Sequence, residues 1–269
     1  MRLFLLLALT SFAQAELTLA TFNIRYAGGD RGKNSWENRR ALVSETITKI
    51  DPDILGLQEA LHRQIAFLEK KLPAYAWVGV GRDDGKKAGE FSPLFYREEK
   101  FKLLDQGTFW LSKTPQVPGS KSWDTVCTRV CTWARLKQKS DGKIVTAFNT
   151  HWDHRGQKAR EESAKLILPY LEKPDLGQIV VMGDFNATET NPALKTLTGA
   201  GLTNSFLSLH AAHKNRNTFH PWNGKTAGTG TIDHILLGGT PVIKKSWIDH
   251  HSRKGQWPSD HYPVVTVME

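Results

Sequence analysis

The alternation of apolar and polar positions in "ELTLATFNI" predicts a strand closing at Asn23. After a Gly/Asp loop, "NSWENRRALVSETITKI" brings Trp36, Val43, Ile47 and Ile50 to near-helical spacing, with Asn34 and Glu37 as a capping pair. "DPD" stops that helix, "ILGLQE" reads as a short buried strand, and Leu61, Ile65, Leu68 and Leu72 share one face of a second helix. From residue 75 to 151 the pattern becomes strand after strand: "YAWVGVG", "SPLFYR", "KLLDQGTFWL", "CTWARLKQ" and "KIVTAFNTH". Ser140-Asp141-Gly142 joins the last two as a hairpin. Helix returns at "KAREESAKLILPYLEK", bent or ended near Pro169, then come a buried strand "QIVVMGDF" and a short helix "NPALKTLTGAG". "TIDHILLG", "VIKKSWI" and "YPVVTV" close the chain as strands. Strands outnumber helices, and βαβ units are too few for a TIM barrel or a purely parallel sheet. Two sheets packed face to face with helices outside fit this order.

The apolar runs end in a regular way. "LTLATF" ends in Asn23, "DILGLQ" in Glu59, "IVTAFNT" in His151, and "IVVMG" in Asp184 with Asn186 two residues on. "TI" runs into Asp233, and "YPVVTV" is preceded by Asp260 and His261. Ser-Asp before a strand is ordinary turn chemistry. In layered α/β folds, however, ligands collect where loops leave a common edge. Carboxylates and Asn oxygens without cysteine make a hard, oxygen-rich pocket suited to Mg²⁺ or Mn²⁺. Two histidines among them offer a general base and a general acid, the inventory for phosphate-ester hydrolysis. Adjacent residues of an extended chain point to opposite sides, so Asp260 is poorly placed to orient His261. Asp233 is the better orienting carboxylate.

"TFNIR", "DPDILGLQE", "NTHWDH", "GDFN", "IDHIL" and "SDHYPV", in this order, resemble the endonuclease/exonuclease/phosphatase (DNase I-like) superfamily. The motifs run from Asn23 to His261, and "SWENRR", "VGVGRDDG", "GEFSPLFYR" and "GTFWLS" suggest a bacterial exported branch. The resemblance implies a four-layer α/β sandwich, two packed mixed β-sheets flanked by helices, with divalent-metal-dependent phosphoesterase chemistry. It further implies Glu59 as principal metal ligand helped by Asn23, with Asp260 on the metal side. Asp184 and Asn186 would place the attacking water and the scissile phosphate. His151 would face the phosphate, and His261, oriented by Asp233, would be the general base. Arg25, Arg97, Arg129, Asp153 and His154 are candidate substrate contacts. Abasic-site exonucleases of the superfamily carry a catalytic tyrosine where this chain has Glu90-Phe91-Ser92-Pro93, which argues against DNA repair. A metallo-β-lactamase-like reading of "HWDH" lacks its first histidine, because Asn149 stands there.

Composition narrows the class. "MRLFLLLALTSFAQA" has a charged start, an apolar core too short to span a bilayer, and a small-x-small end. It reads as a signal peptide, leaving residues 16–269 as one exported domain, secreted or periplasmic, expected to be monomeric. The net charge of +9 falls to +8 without Arg2 and favours an anionic partner. The sequence-level expectation is therefore a phosphodiesterase or nuclease acting on a phosphate ester, with nucleic acid as a candidate partner. A phosphomonoesterase, a sugar- or lipid-headgroup phosphodiesterase, and a non-catalytic phosphate-binding protein are the alternatives. Cys127 and Cys131 are taken as structural, their redox state open.

Overall fold

A computed structural model describes residues 16–212, 216–225 and 230–269; the expected signal peptide lies outside the described residues. The elements are β1 (Leu17–Asn23), α1 (Trp36–Ile50), β2 (Ile54–Gln58), β3 (Ala60–Leu61), α2 (His62–Lys71), β4 (Tyr75–Val78), β5 (Glu90–Phe91) and β6 (Leu94–Arg97). They continue with β7 (Phe101–Trp110), β8 (Val130–Gln138), β9 (Ile144–His151), α3 (Gln157–Leu171), β10 (Gln178–Asp184) and α4 (Pro192–Gly199). The last are β11 (Thr203–Asn204), α5 (Ser205–His210), β12 (Asp233–Leu237), β13 (Ile243–Ile248) and β14 (Val264–Met268).

Two six-stranded mixed sheets pack face to face, ordered β13-β14-β1-β2-β6-β4 and β11-β12-β10-β9-β8-β7. Leu19, Ile54 and Leu94 of the first sheet meet Ala147, Val180, Met182 and Ile235 of the second in the central core. On the outer face of the first sheet, Ala20, Phe22 and Leu57 pack against Trp36, Val43 and Ile47 of α1 and Ile65 and Leu68 of α2. On the outer face of the second, Phe148 and Val181 pack against Ala164 and Ile167 of α3 and Leu194 and Leu197 of α4. Central strands buried on both faces explain why "ILGLQ" and "IVVM" read as continuous apolar runs rather than alternating ones. The result is four layers, helix-sheet-sheet-helix.

Two glycines allow close approaches behind the site, one between the sheets and one within the second sheet. A Cβ at Gly56 would lie 2.7 Å from Asn149 Oδ1 and 2.8 Å from Met182 Sδ. That close approach lets Asn149 tie the sheets, accepting from Gln58 Nε2 at 2.7 Å and donating to Leu57 O at 2.7 Å and Pro93 O at 2.9 Å. At Gly183, φ is +152° and a Cβ would sit 2.0 Å from Thr150 O, so only glycine fits immediately before Asp184.

The expected cap of α1 is different. A short 3₁₀ turn takes Gly32–Asn34, Ser35 becomes the residue ahead of the helix, and Asn34 offers its carbonyl to Arg39 Nε at 3.0 Å. Pro169 lies inside α3, which ends two residues later at Leu171. Helix α5 was not expected; Asn204 caps it by accepting from Leu207 N at 3.1 Å. Both cysteines are free thiols, Cys131 fully buried. No helix among the described residues is long and apolar enough to cross a membrane.

Candidate active site

Strand pairing places the polar run-ends side by side. β9 and β10 are parallel with His151 opposite Asp184, and β12 runs antiparallel to β10 with Asp233 opposite Asp184. Three functional side chains therefore share one row across three strands. In the other sheet β1 and β2 are parallel with Asn23 opposite Gln58, so Glu59 emerges beside Asn23. β14 runs antiparallel to β1, bringing the start of β14 to the end of β1 and carrying Asp260 and His261 to the same edge. Tyr262 N donates to Thr218 O at 2.7 Å and His220 N to Asp260 O at 2.8 Å, which fixes that segment.

At the centre, Asp233 Oδ2 lies 2.9 Å from His261 Nδ1, the expected pairing across 28 positions. His261 Nε2 faces Asp184 Oδ2 at 3.8 Å, and His151 Nε2 reaches the same oxygen at 3.5 Å. Burial disfavours charge on His261, but Asp233 and Asp184 outweigh it and hold the imidazole protonated. His151 is the opposite case. Burial, reinforced by Arg129 and Arg82, pushes it well down and keeps it neutral. Two histidines of one cleft are thus set in different protonation states by their neighbours.

Three residues of the site have left-handed backbones: Arg25 (φ 54°), Glu59 (φ 58°) and Asn186 (φ 46°). Such conformations cost free energy in non-glycine residues and cluster at functional sites. At Glu59 the carboxylate accepts from Asn23 Nδ2 at 3.1 Å and Tyr26 N at 3.1 Å. At Asn186 the backbone N–H donates to Asp184 Oδ1 at 2.9 Å while Nδ2 donates to Trp152 O at 3.0 Å.

Asn23, expected to help Glu59 with the metal, lies directly beside Glu59. Its Oδ1 accepts from Arg25 N at 3.0 Å, and its Nδ2 spans Glu59 and Asp184, at 3.1 and 2.9 Å. The side chain works as a spacer between two carboxylates. Asp260 lies 3.7 Å from Arg25 Nε, and Arg25 Nη1 is also 3.7 Å from Glu59. Burial, and the neighbouring Asp233 and Glu59 respectively, push Asp184 and Asp260 up from ordinary carboxylate values. Asp184, Asp233 and His261 also present ligand atoms within 4.8 Å of one another. Crowded buried carboxylates with few cations among them fit a hard divalent ion.

A cleft of about 450 Å³ opens over these groups. Glu59, His151, Asp184, Asn186, Asp260 and His261 line it, whereas Asn23 and Asp233 stand behind. Arg25, Arg129 and His154 also reach it; Arg129 Nη2 lies 3.2 Å from His154 Nδ1, while its Nε and Nη1 are buried without a hydrogen-bond partner.

Two expected substrate contacts are elsewhere. Arg97 ends β6, which runs antiparallel to β2, so it lies at the opposite edge of the sheet. There it pairs with Asp51 and covers Tyr75 at 4.9 Å. Asp153 is 1% exposed and its carboxylate is spent on the protein itself. Oδ2 accepts from Thr125 Oγ1 (2.9 Å), Val126 N (3.0 Å) and Cys127 N (3.1 Å), and Oδ1 from Arg155 N (3.0 Å) and Gly156 N (2.8 Å).

Other residues had not been read as part of the site. Arg82, Glu90 and Cys127 line the cleft. Phe219 packs edge-on against His261, ring centroids 5.2 Å apart. Fully buried Arg39 donates to Ile24 O (2.5 Å), Arg25 O (2.6 Å) and Pro258 O (2.9 Å), joining the loops that carry Arg25 and Asp260. Its signal was present: Arg39 falls on the apolar face of α1, between Trp36 and Val43.

The model of the Endonuclease/Exonuclease/phosphatase family matches residues 20–261. The chain belongs to this family. Among solved structures, an endonuclease/exonuclease/phosphatase from Bacteroides vulgatus is 38% identical, with a TM-score of 0.88 over 95% of this chain and 99% of that one. A family relative, the mannosyl-6-phosphatase of Bacteroides thetaiotaomicron, is 33% identical, with a TM-score of 0.84 over 94% and 99%. Nocturnin of Drosophila melanogaster is 25% identical over 87% of this chain and 42% of its own length, and human Nocturnin 25% over 86% and 57%. The chain spans about half the length of these curated relatives. The family's name covers endonucleases, exonucleases and phosphatases, all of which act on phosphate esters.

Proposed function

We propose that the protein is a secreted, Mg²⁺- or Mn²⁺-dependent phosphoesterase whose substrate is a phosphate monoester of a small hydroxylated alcohol, a sugar phosphate being the model. The observation that carries the hydrolytic reading is the His261–Asp233 pair, 2.9 Å apart, facing Asp184 in a carboxylate-rich cleft. His261 Nε2, in the deprotonated form of the ring, takes the proton from the attacking water while Asp233 holds the ring through Nδ1. Asp184 and Asn186 hold the water and the phosphoryl group in place. His151, neutral, donates a hydrogen bond to a phosphoryl or leaving oxygen. A divalent cation held by Glu59 and Asp260, when bound, supplies positive charge that polarises the phosphoryl group and offsets the carboxylate field on His261.

The preference for a monoester rests on Arg129. Its buried guanidinium stands on the cleft wall, with Nη1 lacking a hydrogen-bond partner and Nε 3.7 Å from Asp153 Oδ2. A guanidinium that no carboxylate holds bidentately can clamp two phosphoryl oxygens, and the double charge of a monoester strengthens that contact. The full-length 33% identity to a mannosyl-6-phosphatase supports the same choice. A diester, nucleic acid included, is the second reading, favoured by the net charge of +9.

Turnover of mono- and bis-p-nitrophenyl phosphate, a hexose 6-phosphate and plasmid DNA with Mg²⁺ tests both. Faster cleavage of a monoester than of every diester is expected. Full activity in EDTA would refute the metal-dependent mechanism, and faster diester cleavage would refute the monoester preference.

A further inference from the structure

We infer that Arg82 and Glu90 form the leaving-group side of the cleft and read neighbouring hydroxyls, so that the released alcohol carries a vicinal diol. The inference rests on the phosphomonoesterase reading and names the part of the substrate that the shared catalytic groups do not touch.

The position comes from a small piece of sheet. β3 begins one residue after Glu59 and pairs antiparallel with β5, with Leu61 opposite Glu90. Glu90 is thereby held next to the metal-side carboxylate, on the cleft wall with Arg82. The two side chains form a bidentate pair, Nη1 to Oε2 at 2.6 Å and Nη2 to Oε1 at 3.1 Å. Each is only about one-sixth exposed (15% and 17%), enough to meet a ligand from the cleft but little enough to have lost most of its water.

The geometry is rigid. Arg82 N donates to Glu90 O at 3.1 Å, and Trp110 Nε1 donates to Arg82 O at 2.6 Å. Within the intervening loop, Asp84 Oδ1 accepts from Lys86 N at 2.8 Å and Ala88 N at 2.9 Å.

A desolvated ion pair is a costly way to close a loop; an apolar pair of the same volume would serve as well. This one keeps unused hydrogen-bonding capacity beside the reaction centre. Each carboxylate oxygen has a lone pair left after accepting from Arg82. A pair of fixed acceptors complements two adjacent hydroxyls, each of which can donate. Arg129, on the same wall and without a bidentate carboxylate partner, is left for the phosphoryl oxygens. A phosphate group and a diol are thus taken by different arginines.

The test compares kcat/KM for a hexose 6-phosphate with that for phenyl phosphate, which has no hydroxyls, in wild type, Glu90→Gln and the double variant Arg82→Met/Glu90→Met. The wild type is expected to favour the hexose ester, and both variants to lower that ratio at least tenfold, chiefly through KM. Circular dichroism and melting of the double variant, in which no charge is left buried alone, show that the loop still folds. A ratio that stays within threefold in a folded variant overturns the inference, as does a parallel loss on both substrates or a wild type without hexose preference. Absence of metal-dependent turnover on any monoester is a different outcome: it refutes the phosphomonoesterase reading, and the diol subsite with it.

Discussion

Replacing Asp153 by Asn separates a substrate contact from an internal tie. The carboxylate accepts five hydrogen bonds, four from backbone N–H groups, and it holds the 125–127 turn and the start of α3 together. A carboxamide keeps one acceptor oxygen and turns an NH₂ toward the remaining donors. At least two buried N–H groups are then left facing a donor, at roughly 1–3 kcal/mol each. About 4 kcal/mol in total, at roughly 2–4 °C per kcal/mol for a domain of this size, predicts a melting temperature about 10 °C lower. Acid should narrow the gap. The backbone and Thr125 donors override burial and hold the Asp153 carboxyl well below the usual carboxylate range. Its contribution is complete above the ordinary Asp value of about 4 and is lost as pH falls through the depressed one. Thermal melts at pH 7 and below pH 4, with kcat/KM at pH 7, read all of this. A melting temperature within 2 °C of wild type at pH 7, with KM alone raised, would return Asp153 to the substrate and refute the assignment.

Other perturbations bear on the catalytic groups. Asp233→Asn removes the charge that holds His261 protonated, so the acid limb of the kcat/KM profile should move to lower pH, with kcat down about 10²- to 10⁴-fold; an unmoved limb would mean that His261 is not the titrating base. His151→Asn should retain about tenfold more activity than His151→Ala, because a neutral donor is what the site uses; equal losses in steady-state kinetics would contradict that. Arg39→Met should cost about 3–5 kcal/mol in denaturant unfolding, since three site-bearing carbonyls lose a buried cation. It should also weaken Mg²⁺ activation; normal stability would dismiss the clamp.

What could be read from sequence alone was whatever lies in one strand and its immediate end. Asn23, Glu59, His151 and Asp184 were legible because an apolar run stops at each, and Asp233 because one starts there; buried strands start and stop where the sheet edge does. The direction of a strand within its sheet is not local information. Arg97 follows "LFY" as plausibly as His151 follows "AFNT", yet β6 runs the other way and delivers it to the far edge. Asp153 failed for another reason: a polar loop beside catalytic residues looks like a site, but its backbone donors also need acceptors. Arg82 and Glu90 escaped notice because their significance lies in a pairing across a loop.

The row formed by His151, Asp184 and Asp233 has a consequence for how the molecule can fail. Its members are spaced by backbone ladders, and side chains alternate between faces along each strand. A slip of one residue between β9 and β10 would therefore turn Asp184 to the opposite face, and no small adjustment would restore it. Intermediate geometries are scarce, so a molecule either has the row or lacks it. Specific activity then counts correctly paired chains, and turnover during refolding would report strand register more directly than any measure of helix or sheet content.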